Sequence, residues 1–388
     1  MTYQVGFSQG IKEIDPQQWN RLTHDTATPL LDWEWLYCLE ESGSISRNSS
    51  WLPVHMTVRR EDRLVAAVPL YVRTHSIGEF VFDFMWADVA EKIDYRYYPK
   101  LVGMSPATPS TGYQALVAPE EDREAMERLI LSQVRRFADQ NKIGTVAFNY
   151  VEESWSRRLA EVGYSLWKHQ SYDWHNPGFS DFDDYLAVFT KNQRRNIRRE
   201  RQAVADAGLE VEVLPGIEAP DSYFDQMYRL YLRTNDQFGP WAAKYLNRRF
   251  FEMVESDCRH RVVLVAARPQ GADRREDPVA MAMLLHKDKK ILGRYWGTEQ
   301  FVNGLHFEVC YYAPIEWAIS QGIEHFDPGM GSHHKVRRGF HAVPNYSAHR
   351  FSDPRMQAIF EANLSRFNDM EEQNIAALNE ARPVKVQT

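Results

Sequence analysis

The chain has 388 residues, too many for one ordinary compact core and enough for two domains of similar size. Hydrophobic residues make up 44% of it and aromatics 13%, which argues against general disorder. A net charge of −7 argues against a general nucleic-acid coat, although a local basic groove on an acidic body stays open.

Apolar stretches such as Leu64 to Val72 are too short to cross a bilayer and are interrupted by Pro or charge. The segment Met1 to Lys12 lacks a basic region followed by an apolar run. Cys38, Cys258 and Cys310 form an odd, widely spaced set that suits neither a disulfide framework nor a zinc knuckle. These features lead to the expectation of a cytoplasmic protein without a membrane span.

In chain order, the sequence predicts helices at Pro16 to Leu22 and Leu31 to Glu41. Alternating strands follow at Leu52 to Arg59 and Leu64 to Arg73, and the polar turn between them makes an antiparallel hairpin. Glu120 to Asn141 has helical spacing of Met126, Leu129, Ile130, Val134 and Phe137, and Gly144 to Tyr150 reads as a strand. The strand-like Tyr164 to His175 ends at the break Asn176-Pro177-Gly178, which sets the expected domains at 1–176 and 177–388.

The second half begins with a long helix, Asp181 to Ala207, closed by Gly208 and followed by the strand Leu209 to Leu214. Helices at Pro220 to Asn235 and Lys244 to Ser256 come next, then strands at Arg261 to Arg268, Pro278 to His286 and Ile291 to Trp296. A charged amphipathic helix from Pro354 to about Arg382 reads as a brace. The alternation of helices and strands places the chain in the α/β class, as a mixed sheet of α+β type. The tetrads Arg59-Arg60-Glu61-Asp62 and Arg274-Arg275-Glu276-Asp277, each just before a strand in the middle of its half, hint at duplication.

Functional side chains crowd between Gly293 and Phe351. Arg294 and Lys335 can hold a phosphate or carboxylate, and Glu308, Asp327, His306 or His334 can move a proton. Exposed amides of the turn Gly329-Met330-Gly331-Ser332-His333-His334-Lys335 can stabilise an oxyanion. For any one residue the bland reading is stronger, with glycines making turns and histidines satisfied between elements. The concentration of titratable and glycine residues favours a site. No standard zinc spacing joins His306, Glu308, His333, His334 and His349, so a metal is not expected.

The blocks Arg294-Tyr295-Trp296-Gly297, Leu305-His306-Phe307-Glu308, Cys310-Tyr311-Tyr312, His334-Lys335 and Arg338-Gly339-Phe340 resemble the signature of the FemAB-like family. In the first half Trp51-Leu52-Pro53, Pro69-Leu70-Tyr71, the run His75 to Asp83, Trp86-Ala87-Asp88 and Tyr97 to Leu101 resemble it too. The resemblance implies two tandem GNAT-like (FemAB-type) domains, each a mixed sheet flanked by helices. Fem transferases move an amino acid from aminoacyl-tRNA to an amine of a cell-wall precursor. Two blocks depart from the family pattern. The turn Gly329 to Lys335 lacks the usual Gln and acidic residue, and Ser105 to Gly112 lacks an aromatic after its Pro.

Lys191, Arg194, Arg195, Arg198, Arg199 and Gln202 fall on one stripe of the long helix. Such stripes usually face solvent. Like charges at Arg194/Arg198 and Arg195/Arg199 cost about 0.2–0.5 kcal/mol per pair in an isolated helix, a cost that a bound anion such as a tRNA backbone relieves. A Gln/Arg-x-x-Gly-x-Gly/Ala loop for acetyl-CoA is not evident, which ranks aminoacyl-tRNA above acetyl-CoA as donor, with no tightly bound cofactor.

The expectation is therefore N-acyl transfer from aminoacyl-tRNA to an amine of a cell-wall precursor or small metabolite. Lys335, Glu308, Asp327 and His334 would do the chemistry; Arg294, Trp296, His306, Tyr311, Arg338, Lys191, Arg194, Arg195 and Arg198 would bind substrate. An acyl-CoA-dependent transferase and a non-catalytic recognition protein are the rivals.

Overall fold

The computed structural model describes residues 2–239, 244–331 and 333–385, and the chain divides into two compact units. The first comprises residues 1–169 and 344–373, the second 170–343 and 374–388. The division falls inside the strand Ser165–His175, not at the Asn176-Pro177-Gly178 break, and 344–373 belongs to the first unit. The cause of the second difference is apolar packing. Phe351, Met356, Phe360 and Leu364 bury themselves against Trp86, Ala90 and Tyr97, so half of the predicted brace is core of the first unit. Among the described residues no helix is long and apolar enough to cross a membrane.

In the first unit, Tyr3–Ser8, His55–Arg60, Arg63–Val68 and Leu116–Val117 form a four-stranded antiparallel sheet in that order. The predicted hairpin is its centre over His55–Arg60 and Arg63–Val68, while the outer ends of both predicted strands are separate strands that pair in another sheet. A second set pairs Trp51–Pro53, Tyr71–Arg73, Lys100–Gly103 and Thr145–Phe148, with residues 348–351 on the far side of Thr145–Phe148. Asp122 caps the helix Arg123–Gln140 by accepting from the Ala125 amide, and that helix buries Met126, Ile130, Leu131 and Val134. At the heart of this unit Lys100 Nζ lies 2.7 Å from Glu79, 2.5 Å from Asp83 and 2.8 Å from Ser76, all out of solvent.

In the second unit the strands Leu209–Pro215, Val262–Pro269, Ala280–Lys287 and Lys290–Thr298 run antiparallel in that order. Lys290–Thr298 then pairs in parallel with His325–Asp327, which lies against Trp174 and His175. The tetrad Arg274 to Asp277 sits between the second and third of these strands, as Arg59 to Asp62 spans the hairpin of the first unit. The predicted helix Asp181 to Ala207 is two helices, Phe182–Ala187 and Lys191–Asp206. Between them Thr190 caps the second helix, its amide donates to the Pro383 carbonyl, and the Val188 carbonyl accepts from Lys385. Backbone groups that would continue a helix are thus spent on the chain's C-terminal segment.

Candidate functional site

The strand Lys290–Thr298 meets its two neighbours differently. Against Ala280–Lys287 it carries a register shift in which Gly293 faces Leu284 and Tyr295 faces Met283, leaving Arg294 as the extra residue of a bulge. Against His325–Asp327 it pairs only over Lys290–Leu292. Where that pairing ends, a cavity of about 170 Å³ opens, bounded by Gly293 to Trp296 on one strand and Pro328 and Met330 beyond the other. Gly293 and Gly329 make the close approach possible. A Cβ on Gly329 would lie 3.1 Å from the Gly293 carbonyl oxygen, and Gly329 has φ +75°.

Lys335 closes one wall. It sits in the 3₁₀ turn His333–Arg338, and its Nζ donates to the carbonyls of Gly329 at 2.6 Å and Met330 at 2.8 Å. The Tyr172 ring lies 5.0 Å away. Burial pushes the ammonium down to about 8, with Asp327 opposing and Arg294 adding to the shift. Asp327 is buried and accepts the Gly329 amide at 2.8 Å. That bond takes the Gly329 amide out of the predicted oxyanion hole, because a donor already paired to a carboxylate is not free for a developing alkoxide. Ser332 of the same turn lies outside the described residues.

Opposite Lys335, the segment 305–312 presents an aromatic wall. His334 Nε2 and the Tyr311 hydroxyl are 3.0 Å apart, and the His306 ring stacks edge-on against Trp296 at 4.5 Å. Cys310 Sγ lies 3.5 Å from His306 Nδ1. Burial, then the charges of Arg338 and Lys335, lower His334 to about 4. The same causes together with His334 lower His306 to about 3. Both imidazoles are therefore neutral at neutral pH, and desolvation holds the Cys310 thiol protonated.

Five of the expected residues thus line one cavity, Lys335, Arg294, Trp296, His306 and Tyr311, and His334 lies behind Tyr311, whose hydroxyl it meets. Asp327 sits at its edge through Gly329. Glu308 does not join them. Its carboxylate is held by Arg201 at 3.0–3.2 Å and lines a separate groove of about 550 Å³ with Phe182, Arg198 and Gln202. The helical turn that aims His306, Cys310 and Tyr311 at the cavity aims Glu308 the other way. Arg338 is likewise committed. It pairs with Glu200 at 3.0 Å, donates to the His334 carbonyl and lies 3.2 Å from the centre of the Phe307 ring. It fastens the His334–Lys335 turn and does not line the cavity.

The basic helix shows two faces. Inward, Gln193 donates to the Arg337 carbonyl, Glu200 accepts from Arg338 and Tyr312, and Arg201 holds Glu308 and Glu316. Outward, Lys191, Arg195, Arg198 and Arg199 are exposed; Arg198 is 3.1 Å from Asp183. Arg194 folds back to the Phe189 carbonyl at 2.9 Å. Sequence reasoning missed Glu200, Arg201 and Gln193 as the fastening of the site. The signal was the acid inside Arg198-Arg199-Glu200-Arg201, which a purely solvated basic stripe has no need of.

Two units of mixed sheet and helix, the second opening a cavity where a parallel strand pair stops, make up the fold, and solved structures share it. FemX has the same fold, with 11% identity and a TM-score of 0.54 over 92% of this chain and 100% of its own. The C-terminal domain of a candidate lysylphosphatidylglycerol synthetase from Agrobacterium fabrum shares 13% identity at a TM-score of 0.53, covering 92% and 97%. The L-PGS of Bacillus licheniformis shares 12% at 0.50, covering 90% and 97%. No curated protein matches the sequence. Residues 10–386 match the FemAB-like model, described as peptidoglycan biosynthesis/recognition, and the chain belongs to that family.

Proposed function

We propose that this chain is an N-acyltransferase that joins an activated acyl group to an amine in the cavity of the second unit. The observation that carries the reading is the convergence of two cations, Arg294 and Lys335, with the neutral Tyr311–His334 pair around one small cavity. An amine attacking an acyl ester forms the C–N bond, the ester C–O bond breaks, and the leaving hydroxyl takes up the proton that the amine loses. The neutral His334 ring and Tyr311 hydroxyl are suited to pass that proton. Lys335 and Arg294 stabilise negative charge nearby, and positioning supplies much of the rate.

For the donor we propose aminoacyl-tRNA. The exposed cations Lys191, Arg195, Arg198 and Arg199 on one helix of the same unit suit a phosphate backbone, and the fold is shared with a candidate synthetase of lysylphosphatidylglycerol. The acceptor is an amine of a cell-wall precursor or a small metabolite.

The test is transfer of radiolabelled amino acids from a charged tRNA pool to candidate amines, with acetyl-CoA as a parallel donor. Label from the tRNA pool supports the reading, label from acetyl-CoA alone reassigns the donor, and precursor binding without transfer marks a recognition protein. Lys335→Ala is expected to cut kcat/KM at least 100-fold with the far-ultraviolet circular dichroism unchanged; full activity in that variant removes Lys335 from the mechanism.

A further inference from the structure

The cavity lining includes a guanidinium, that of Arg294, with two buried nitrogens that no described residue serves. Nε and Nη1 of Arg294 are shut away from solvent, and among the described residues neither has a hydrogen-bond acceptor; the guanidinium's polar neighbour is the Tyr295 hydroxyl. A guanidinium cannot escape this by shedding its proton, so its burial without an acceptor is costly. The residue is there because the strand bulges at that position, a local irregularity of the kind that re-aims a side chain.

The charge balance around it points the same way. Arg294 and Lys335 face the cavity, and Asp327, engaged by the Gly329 amide, is the carboxylate beside them. Glu308 is spent on Arg201 in the other groove. His306 and His334 add no charge at neutral pH. The lining is positive on balance and asks for an anion.

Size and shape narrow the anion. About 170 Å³ gives room for a carboxylate on a short chain. Ala282, Leu284, Trp296 and Met330 supply apolar walls for the carbons. A planar monoanion with two oxygens suits one guanidinium and one ammonium proton, whereas a tetrahedral phosphate would press a further oxygen against those walls.

We propose that Arg294 and Lys335 bind a substrate carboxylate, which makes the amine acceptor an amino acid or an amine with a short carboxylate arm. The carboxyl group of an aminoacyl donor is already esterified, so the free carboxylate belongs to the acceptor. Calling it the acceptor rests on the acyl-transfer reading; the carboxylate site itself does not.

Calorimetric titration of the full chain with butyrate, butyramide and inorganic phosphate tests the site, in the wild type and in Arg294→Gln. The expected result is butyrate binding at least tenfold tighter than butyramide and tighter than phosphate, with the preference lost in the variant. Equal binding of acid and amide, tighter binding of phosphate, or a preference that survives in Arg294→Gln overturns the proposal. Should the variant not fold, the wild-type comparison of acid with amide decides alone. A butyrate preference without acyl transfer from any donor sinks the acyltransferase reading and keeps the carboxylate site. Equal transfer to an amino acid and to its amide keeps the reading and sinks the site.

Discussion

Lys335 is the residue whose protonation matters most at working pH. Two charged groups act on it besides its carbonyl partners: Asp327 holds its proton, Arg294 repels it, and burial outweighs Asp327 to leave it at about 8. A bound carboxylate favours the charged form, so the liganded value lies higher and binding above pH 8 must take up a proton. Butyrate keeps its own charge across this range, so its affinity is expected to be level from pH 6 to 7.5 and to weaken through a midpoint near 8. Calorimetry at five pH values checks this, and an affinity constant to pH 9.5 removes Lys335 from the anion site. Individual residues were the least legible part of the sequence. Glu308 and Arg338 carry the right chemistry for a site, but what each does depends on Arg201 and Glu200, more than a hundred positions away. A side chain's partner across such a separation has no local signal.

At the scale of elements the sequence was far more informative, because periodicity and capping are local. The strand Lys290–Thr298, the hairpin about Arg60 and the helix Arg123–Gln140 all fall where apolar spacing and polar turns put them. The break at residues 188–190 was not legible, since it depends on backbone bonds to Pro383 and Lys385. One glycine of the site strand shows how tightly the elements are fitted. A Cβ on Gly297 would lie 2.2 Å from the Leu230 carbonyl oxygen and 2.4 Å from its carbon, both backbone atoms of the helix Ser222–Asp236. Gly297→Ala must therefore push helix and strand apart, at a cost of about 1–3 kcal/mol typical of overpacking. Urea unfolding should show that loss, and displacement of Trp296 should reduce transfer as well. A variant as stable as wild type would mean that the helix yields without strain.

Over the whole molecule, two domains follow from length and from the two cycles of helix and strand. Their membership does not, because residues 344–373 return to the first unit and no compositional break marks the return. That returning segment brings His349 into the core of the first unit, where Nε2 sits 2.7 Å from the Ser347 hydroxyl, itself 2.7 Å from His169 Nε2. Burial lowers His349 to about 3 and His169 to about 4, against about 6.5 for an unperturbed histidine. The folded unit keeps both rings neutral, while the unfolded chain binds their protons below about 6.5. The stability they confer is therefore full above that pH and falls as pH drops, by about 1.4 kcal/mol per pH unit for each ring. In the window from pH 6.5 to 5, above the usual carboxylate range, His306 and His334 of the second unit contribute a loss of the same sign, so the share of His349 is read from the difference between wild type and its variant. Replacing His349 by Gln should flatten the slope by roughly half for the first unit, and a wild-type melting temperature that stays level from pH 7 to 5 would show that the two rings are charged in the fold.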